Sequence, residues 1–445
     1  MVSKKESSSS SARLKSFRRA KGTASLQAGR HPTRAARAGT PRCLRSQLSS
    51  CIALLLSLAI LSVLLSCSSH QTNNTNRSTV KIGFFGDLSG PTYNYGESAK
   101  NGVLMAADEI NQAGGINGQQ IDVVFEDDKG SPEAAAQLTG RLIEKDKVVA
   151  IIGAGASGNS LAAAPKAQSA KVPLIAPSST NPAVTQVGDF IFRACYIDAF
   201  QGEVMAKFAA NTLKARKAAI MLDFNNPYSR GLTDFFEFSF AKLDGQIVVK
   251  QSYKQDDADY RGQLSIIKAA NPDVIYIPGY YGDVALIAKQ ARQIGLNVPL
   301  LGADGWDAPE LWELGGDALN NSYISNHYSA DDPAANIQKF VQDYRQRYRN
   351  LTPDAHAALA YDAMRFLAEA IQRAGSTEGQ KIRDALAETK NFNGITGSIS
   401  MDRERNAVKS AVILKLLDTR YIYQETIQPE SIASPVTSQK SLPSP

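Results

Sequence analysis

Short apolar runs alternate with amphipathic stretches along this chain, and that alternation constrains the fold more than any other feature. The first series has apolar runs at residues 80–85, 121–125, 148–152 and 172–176. Between them lie stretches with the helical spacing of apolar residues, at 96–112, from Ser131 onward and at 157–170. Strands that alternate with helices predict a parallel sheet covered by helices on both faces.

The same plan begins again after residue 195. Helical stretches at 200–213, 228–243, 260–270 and 283–294 alternate with apolar runs at 218–222, 247–249, 273–277 and 299–301. The predicted fold class is therefore α/β, with two doubly wound parallel-sheet lobes. The loops that follow the strands of both lobes would face a common cleft, which is where such folds bind ligands.

Further elements follow the second series and need a place to pack. They are predicted helices at 336–349, 355–373 and 381–389 and a strand at 411–416. The chain is therefore expected to cross between the lobes more than once, through a multi-strand hinge. We expect lobe 1 to comprise residues 80–195 and 327–400, and lobe 2 to comprise residues 196–326 and 401–424.

The charge of the chain is unevenly distributed. The whole sequence carries 49 basic and 43 acidic residues, a formal net charge of +6. Residues 1–45 hold twelve of the basic residues and one acid, which leaves a net charge of −5 for the remainder. A mildly acidic body gives no reason to expect binding to a nucleic-acid backbone.

The two ends of the chain have the composition of export and tether segments. An uncharged apolar run of 16 residues at 51–66 follows the basic stretch, and a run of this length is short for a membrane span. Leu64-Leu65-Ser66-Cys67 resembles a bacterial lipobox, so residues 1–66 are predicted to be a signal peptide and Cys67 the site of lipidation. The alternative is an uncleaved N-terminal anchor helix. Residues 67–79 would form a polar tether, and 425–445, rich in Ser and Pro, a disordered tail.

Cysteines and histidines do not indicate catalysis or a metal centre. Cys195 would be the one cysteine left in the mature body outside the lipid anchor, and its apolar surroundings predict a packed strand residue rather than a nucleophile. The four histidines, His31, His70, His327 and His356, show no metal-ligand spacing. No cofactor or metal is expected.

A glycine-rich loop follows the third predicted strand. Residues 153–158 read Gly-Ala-Gly-Ala-Ser-Gly, which matches the dinucleotide pattern G-x-G-x-x-G. The next strand ends in Pro177-Ser178-Ser179-Thr180 instead of the acidic residue that would hold a ribose, so dinucleotide binding is disfavoured. A helix N-terminus with Ser157, beside the hydroxyls of 178–180, would instead suit a carboxylate. The alternative is that Ser157 and Thr180 only cap their helices.

An ordered set of motifs resembles one family over about residues 80–424. The family is that of the substrate-binding lipoproteins and periplasmic proteins of branched-chain amino-acid ABC transporters, with the type 1 periplasmic binding protein fold. The motifs are Phe-Gly-Asp-Leu-Ser-Gly-Pro at 85–91, Tyr-Gly at 95–96, Glu-Ile-Asn-Gln-Ala-Gly-Gly-Ile-Asn-Gly at 109–118, Glu-Asp-Asp at 126–128, Ile-Gly at 152–153, Ala-Pro-Ser-Ser-Thr at 176–180 and Gly-Ala-Asp-Gly at 302–305.

The resemblance implies a set of ligand-binding residues. On the first lobe they are Tyr95 as a pocket wall, Ser157 as a carboxylate donor and the turn Ser178, Ser179 and Thr180. On the second lobe they are Tyr228 and Tyr280 as walls, Asp304 as the partner of the ligand ammonium and Trp306 as a filler of pocket volume. Tyr281 is an alternative to Tyr280, and Asp304 before a glycine is also typical of a turn. His356 falls near a side-chain pocket position of the family, although a surface or core role is favoured for it.

The function implied is that of the extracytoplasmic substrate-binding component of an ABC importer, not an enzyme. The protein would be an anchored lipoprotein of the periplasm or cell surface and a monomer. It would close around a branched-chain or other neutral or polar amino acid and deliver it to an inner-membrane permease. The alternatives are an amide, urea or aromatic acid as ligand, an enzyme, or a sensory receptor module.

Overall fold

The structure is a computed structural model, and it describes residues 79–153 and 155–429. The first series contains the strands β1 (Thr79–Gly86), β2 (Gln120–Asp127), β3 (Ala150–Ile152), β4 (Leu174–Ala176) and β5 (Ile191–Arg193). The helices between them are α1 (Tyr93–Gln112), α2 (Pro132–Glu144), α3 (Ser157–Ala170) and the short α4 (Ala183–Gln186). Each predicted strand and helix of this series is confirmed, and β5 is an additional strand.

These five strands form one parallel sheet in the order β2-β1-β3-β4-β5. Ile82 of β1 pairs with Val123 of β2 on one side and with Ala150 of β3 on the other. This order makes β1 an internal strand with β2 at one edge and β3 at the centre, as expected of a doubly wound sheet, and brings the loops after β1, β3 and β4 to one edge. Cys195 is buried just past β5, so the prediction that it lies in a strand is wrong by two positions, while its packed environment is confirmed.

The second series builds a sheet with the same parallel core. Its strands are β6 (Lys217–Asp223), β7 (Gln246–Tyr253), β8 (Val274–Tyr276), β9 (Leu300–Gly302) and β10 (Ser322–Asn326). Its helices are α5 (Asp198–Lys207, continued by a π-helical turn to Thr212), α6 (Pro227–Lys242), α7 (Arg261–Ala269), α8 (Tyr281–Gln293) and α9 (Pro309–Gly315). A 3₁₀ turn, Asp304–Trp306, follows β9.

Two antiparallel strands extend this second sheet. They are β14 (Ala411–Leu417) and β15 (Arg420–Ile427), and the order is β15-β14-β10-β9-β8-β6-β7. The second lobe thus has the predicted parallel core, and its late strand, predicted at 411–416, joins that core as part of an antiparallel pair. Strand β15 continues to Ile427, so the start predicted for the disordered tail at residue 425 is too early.

The remaining elements pack on the first sheet. They are α10 (Ala335–Arg347), α11 (Ala355–Ala374), α12 (Gly379–Ala387) and a small antiparallel sheet of β11 (Phe392–Gly394), β12 (Gly397–Met401) and β13 (Ala407–Val408). One hydrophobic core joins β1, α1, α10, α11 and this small sheet. The chain therefore passes between the two sheets three times, after β5, after β10 and after β13, which confirms the predicted multi-strand hinge.

The predicted leader, the predicted lipidation site Cys67, the predicted tether through residue 78 and residues 430–445 lie outside the described residues. In the part of the chain that the structure describes, no helix is long and apolar enough to span a membrane.

Helices α1 and α11 approach each other most closely at Gly102. A Cβ built on Gly102 would lie 2.1 Å from the backbone oxygen of Ala357, and backbone cannot move aside as a flexible side chain can. We expect Gly102→Ala to separate these helices and to lower the free energy of unfolding by about 3 kcal/mol or more. The control is Gly140→Ala in α2, where an added Cβ meets no atom within 4 Å. This substitution should raise the free energy of unfolding by roughly 0.5–1 kcal/mol. If chemical denaturation gave the same change in the free energy of unfolding for both variants, the close contact at Gly102 would be contradicted.

Candidate ligand-binding site

The glycine-rich loop after β3 brings the start of α3 to the edge of the sheet. A Cβ on Gly153 would lie 2.5 Å from the Phe85 carbonyl oxygen, so this close approach requires glycine. Helix α3 begins at Ser157 and its N-cap is Ala156, which makes no side-chain cap hydrogen bond. The Ser157 hydroxyl instead accepts a hydrogen bond from the backbone N–H of Asn181, at 3.3 Å. The interpretation of Ser157 as a helix cap is therefore wrong.

The turn after β4 presents its hydroxyls in different directions. The Ser178 hydroxyl lies 3.1 Å from Nδ1 of His356, and the Ser179 hydroxyl lies 2.7 Å from that of Ser160 on α3. Thr180 is fully buried, and its hydroxyl forms no hydrogen bond of normal geometry to any residue of the described ranges, although it lies near enough to the Asp198 carboxyl to lower the pKa of that group. Thr180 does not cap a helix either, since α4 begins at Ala183 with Pro182 as its N-cap. The Thr180 hydroxyl therefore has hydrogen-bonding capacity left for a ligand, whereas the Ser179 hydroxyl is directed to α3.

A buried arginine supports this turn from below. Arg193, at the end of β5, donates from Nη1 to the Ser179 carbonyl at 2.7 Å and from Nη2 to the Asn181 carbonyl at 2.8 Å. Desolvation lowers the pKa of its guanidinium from the ordinary value. Arg193 was not predicted as a site residue, because an arginine at a strand end does not by itself reveal that its partners are carbonyl groups of the preceding turn.

Asp304 is the centre of a buried hydrogen-bond network on the second sheet. Its Oδ1 accepts hydrogen bonds from the Tyr228 hydroxyl at 2.8 Å and from Nε2 of Gln201 at 2.9 Å. Its Oδ2 lies 3.0 Å from Nε2 of His327. Asp304 does open a 3₁₀ turn, but no backbone N–H of that turn contacts its carboxylate among the described residues, so the side chain does not serve the turn. One lone-pair position of the four on a carboxylate remains for a further donor.

The ionisation of this network follows from its contacts. Desolvation tends to raise the pKa of Asp304, but the hydrogen bonds and charge interaction of His327, together with the hydrogen bonds of Gln201 and Tyr228, outweigh it and lower that pKa. Burial lowers the pKa of His327 to about 4, so its ring is neutral at neutral pH. A neutral ring beside a charged carboxylate must donate from Nε2, which leaves Nδ1 as an acceptor.

Aromatic rings form the walls between the two sheets. Tyr95, on α1, stacks on His356 with ring centroids 4.1 Å apart and meets Tyr280 edge-on at 5.7 Å. Tyr280 in turn stacks on Tyr228 at 5.3 Å. Tyr95, Tyr228 and Tyr280 thus lie together, and His356 lies with them rather than on the surface or in a lobe core as favoured from the sequence.

Trp306 does not share this position. Its ring packs over Gly302 in the core of the second sheet, and its indole N–H donates to the Ile277 carbonyl at 2.9 Å. Its contacts give no support to the predicted role in filling the pocket.

Hydrogen bonds join the loops of the first sheet directly to those of the second. The Tyr95 hydroxyl donates to the Gly305 carbonyl, and the Asn181 amide donates to the Pro227 carbonyl at 2.9 Å. The Tyr281 hydroxyl donates to the Pro91 carbonyl at 3.0 Å, so Tyr281 bridges the cleft beside the wall residue Tyr280. The two sheets are therefore in the closed arrangement. At the outer end of the cleft is a cavity of about 300 Å³ lined by residues of both sheets, including Thr92, Ala156, Asn159, Asn226 and Tyr280.

Buried polar atoms without partners mark the interior of the closed cleft. Within the described residues they include Thr180 Oγ1, Gln201 Oε1, His327 Nδ1 and His356 Nε2, together with the hydroxyls of Tyr196 and Tyr276 and both carboxylate oxygens of Asp198. Buried polar groups normally have partners, so such a concentration indicates the place of a polar ligand or of ordered water. No group of three or more His, Cys, Asp or Glu residues in residues 79–153 and 155–429 is arranged to hold a metal ion.

Comparison with known proteins places the chain in a family. The periplasmic binding protein family matches residues 79–415. The leucine-binding protein LivK of Thermotoga maritima MSB8 is 39% identical, with a TM-score of 0.75 over 79% of this chain and 99% of that one. The branched-chain amino-acid transporter substrate-binding protein LivJ of Streptococcus pneumoniae, solved with isoleucine, is 34% identical, with a TM-score of 0.75 over 79% of this chain and 100% of that one.

Another similar structure has a different kind of ligand. The solute-binding protein of an ABC transporter from Rhodopseudomonas palustris BisB5, solved with 3,4-dihydroxybenzoic acid, is 26% identical, with a TM-score of 0.71 over 79% of this chain and 97% of that one. The fold and the matched range agree across these comparisons. The chain belongs to the periplasmic binding protein family, among the extracytoplasmic substrate-binding proteins of branched-chain amino-acid ABC transporters.

Proposed function

We propose that this protein captures a neutral α-amino acid, branched-chain or of similar size, and delivers it to an ABC permease. The observation that carries the proposal is the polarity of the closed cleft, with neutral donors at one end and a carboxylate at the other. The donors are on loops of the first sheet and the carboxylate, Asp304, is on a loop of the second. An α-amino acid carries the complementary groups, a carboxylate and an ammonium, on one carbon atom.

The donor end suits the ligand carboxylate. The N-terminus of α3 offers backbone N–H groups and a favourable dipole to an anion. The buried hydroxyls of Thr180 and Ser157 are adjacent to it. Arg193 donates to the carbonyl groups of the turn, and we infer that this holds the turn in a conformation that presents its N–H groups to the cleft.

Asp304 suits the ligand ammonium. Tyr228, Gln201 and His327 fix its carboxylate and keep its pKa low, so it carries a negative charge at neutral pH. A buried carboxylate with spare acceptor capacity favours a cationic donor and disfavours a second anion. This observation favours an amino acid over a benzoate-like acid, whose ring has no cationic group to pair with Asp304.

The expected motion is closure of one lobe on the other about the hinge. We propose that lobe 1, residues 80–195 and 327–400, binds the carboxylate first, and that lobe 2, residues 196–326 and 401–424, then brings Asp304, Tyr228 and Tyr280 over the ligand. A ligand shifts this equilibrium only by its greater affinity for the closed state. The bonds of Tyr95 to Gly305 and of Asn181 to Pro227 belong to that state and would be broken on opening.

The remaining features of the proposal come from the sequence. We propose that the protein is exported, cleaved before Cys67 and lipidated there, and that it acts as a monomeric lipoprotein without catalysing a reaction. Acyl chains would hold it at a membrane surface without spanning it.

A thermal-shift screen of the twenty standard L-amino acids would test the proposal. Binding to the folded state stabilises by RT ln(1 + [L]/Kd), which is about 2.7 kcal/mol at a ligand concentration of 100 Kd. We expect at least one neutral amino acid to raise the melting temperature, and a set of aromatic acids, amides and urea to leave it unchanged. A response only to acids or amides that lack an ammonium group would contradict the proposal.

A further inference from the structure

His356 is the second residue of α11, and its buried ring belongs to the aromatic wall of the closed cleft. The start of this helix does not depend on the imidazole. Asp354 is the N-cap, and its carboxylate accepts a hydrogen bond from the backbone N–H of Ala357 at 2.9 Å. The ring nitrogens of His356 are therefore not needed to cap the helix, and their own partners must be found elsewhere.

One ring nitrogen of His356 has a partner and the other has none. Nδ1 lies 3.1 Å from the Ser178 hydroxyl, whereas Nε2 is buried and forms no hydrogen bond with any residue that the structure describes. Burial lowers the pKa of the ring to about 4, so the imidazole is neutral at neutral pH. A neutral imidazole has one donor and one acceptor nitrogen, and leaving either one unpaired in a buried place costs free energy.

A purely structural role explains Nδ1 but not Nε2. The turn that contains Ser178 is already held by Arg193, which donates to the carbonyl groups of Ser179 and Asn181. The stacking of His356 on Tyr95, with ring centroids 4.1 Å apart, needs a flat ring and no nitrogen atom. An apolar ring would pack in this place as well and would leave no buried polar atom unpaired. The Nε2 atom is therefore unexplained by the packing of the empty protein.

The partner of Nδ1 makes the imidazole adaptable. His327, the other histidine of the cleft, contacts the carboxylate of Asp304, which fixes the proton on its Nε2. His356 instead contacts the hydroxyl of Ser178, and a hydroxyl can either donate or accept. If Ser178 donates to Nδ1, then Nε2 carries the proton and donates; if Ser178 accepts, then Nε2 accepts. The pair can therefore match a ligand group of either kind, as a hydroxyl or a carboxamide requires.

The position of His356 suits contact with the side chain of the ligand. An amino acid held by its carboxylate at the donor end and by its ammonium at Asp304 turns its third substituent toward the aromatic walls. The wall hydroxyls of Tyr95 and Tyr228 are engaged, since they donate to the Gly305 carbonyl and to Asp304. The Nε2 atom of His356 is thus a polar atom of the wall that the described residues leave for a ligand.

We propose that His356 selects amino acids whose side chain carries a neutral hydrogen-bonding group, a hydroxyl or a carboxamide, which pairs with Nε2 in the closed cleft. This inference rests on the proposed function and narrows its substrate class. A hydrocarbon side chain of the same size would close the cleft over an unpaired nitrogen. A site built to hydrogen-bond a ligand group discriminates strongly against the analogue that lacks this group, because its own buried polar atom is then left without a partner.

The test is isothermal titration of the purified full-length protein with two pairs of amino acids that are nearly equal in shape. The pairs are L-threonine with L-valine and L-asparagine with L-leucine. We expect the polar member of at least one pair to bind about 10- to 100-fold more tightly than its apolar counterpart. His356→Phe keeps a ring that stacks on Tyr95 and removes both nitrogens, so it should abolish this preference or reverse it.

The matched control is Ser98→Ala, which removes the hydroxyl that donates to Oδ2 of Asp354 at 2.6 Å and so weakens the start of the same helix. It should keep the preference of the wild type. Wild-type protein that binds the apolar member of both pairs as tightly as the polar one would overturn the role of His356, even if His356→Phe failed to fold. A folded His356→Phe variant that kept the preference would overturn it as well. If no amino acid binds at all, the proposed function fails instead.

Discussion

Replacing Asp304 with asparagine should lower the affinity for L-leucine by roughly 100- to 1,000-fold, or about 3–4 kcal/mol. The substitution keeps the shape of the side chain and removes the charge that faces the ammonium. It also places an amide NH₂ among the donors Tyr228, Gln201 and His327, all of which need an acceptor. Calorimetry with L-leucine and with 4-methylpentanoate would measure the effect. The variant should bind the two compounds with nearly equal, weak affinity.

A matched control separates loss of binding from loss of folding. Asp362 is a buried carboxylate in the core of the first sheet, and it accepts three hydrogen bonds from Ile395 and Thr396. Asp362→Asn should destabilise the protein and leave the affinity for L-leucine unchanged. Equal L-leucine affinity for Asp304→Asn and wild-type protein would remove Asp304 from the ligand site.

Replacing Thr180 with valine should weaken L-leucine binding about 10- to 100-fold without destabilising the empty protein. The Thr180 hydroxyl is buried and makes no hydrogen bond of normal geometry in residues 79–153 and 155–429, and it interacts there with the Asp198 carboxyl, so its removal costs little internal bonding. Valine has nearly the same shape, and the free energy of unfolding should stay constant or rise by up to about 1 kcal/mol. A gain of stability with a loss of affinity is the signature of a side chain kept for its ligand.

Thr139→Val provides the opposite case. Thr139 is also fully buried, but its hydroxyl donates to the Ala135 carbonyl within α2, at 2.8 Å. We expect this variant to lose about 1 kcal/mol of stability and no affinity. If Thr180→Val instead lost stability and kept its affinity for L-leucine, the donor end of the site would have to lie elsewhere.

The fold could be predicted largely from local pattern. The long helices were found because their apolar residues recur at helical spacing and their ends carry clear signals, as where Ser131 caps α2 and its hydroxyl accepts from the N–H of Ala134. Strand β10 was missed, and β5 was indicated only through the interpretation of Cys195 as a strand residue, because three to five buried residues have no periodicity of their own. Strand β15 was missed because half-buried edge strands resemble polar tails.

The site was predicted only in part. Ser157, Thr180 and Asp304 follow strands, so topology together with the family resemblance was enough to place them near the cleft. His327 and Gln201 were missed because each contacts Asp304 from another part of the chain, Gln201 from 103 positions away. His356 meets Ser178 across 178 positions. No local signal in a single sequence indicates such contacts, because they form only when the three hinge passages bring both sheets together.

Amino-acid capture is tested most directly by the ratio of two affinities of the wild-type protein, one for an amino acid and one for the same compound without its ammonium group. Calorimetry should be run with L-leucine, L-isoleucine and L-valine, each beside its deaminated acid, and with 3,4-dihydroxybenzoate. If donors at α3 hold the ligand carboxylate while Asp304 holds its ammonium, at least one amino acid will bind 100-fold or more tightly than its deaminated acid. A deaminated acid or 3,4-dihydroxybenzoate that binds as tightly as the amino acids, or more tightly, would contradict amino-acid capture by this site.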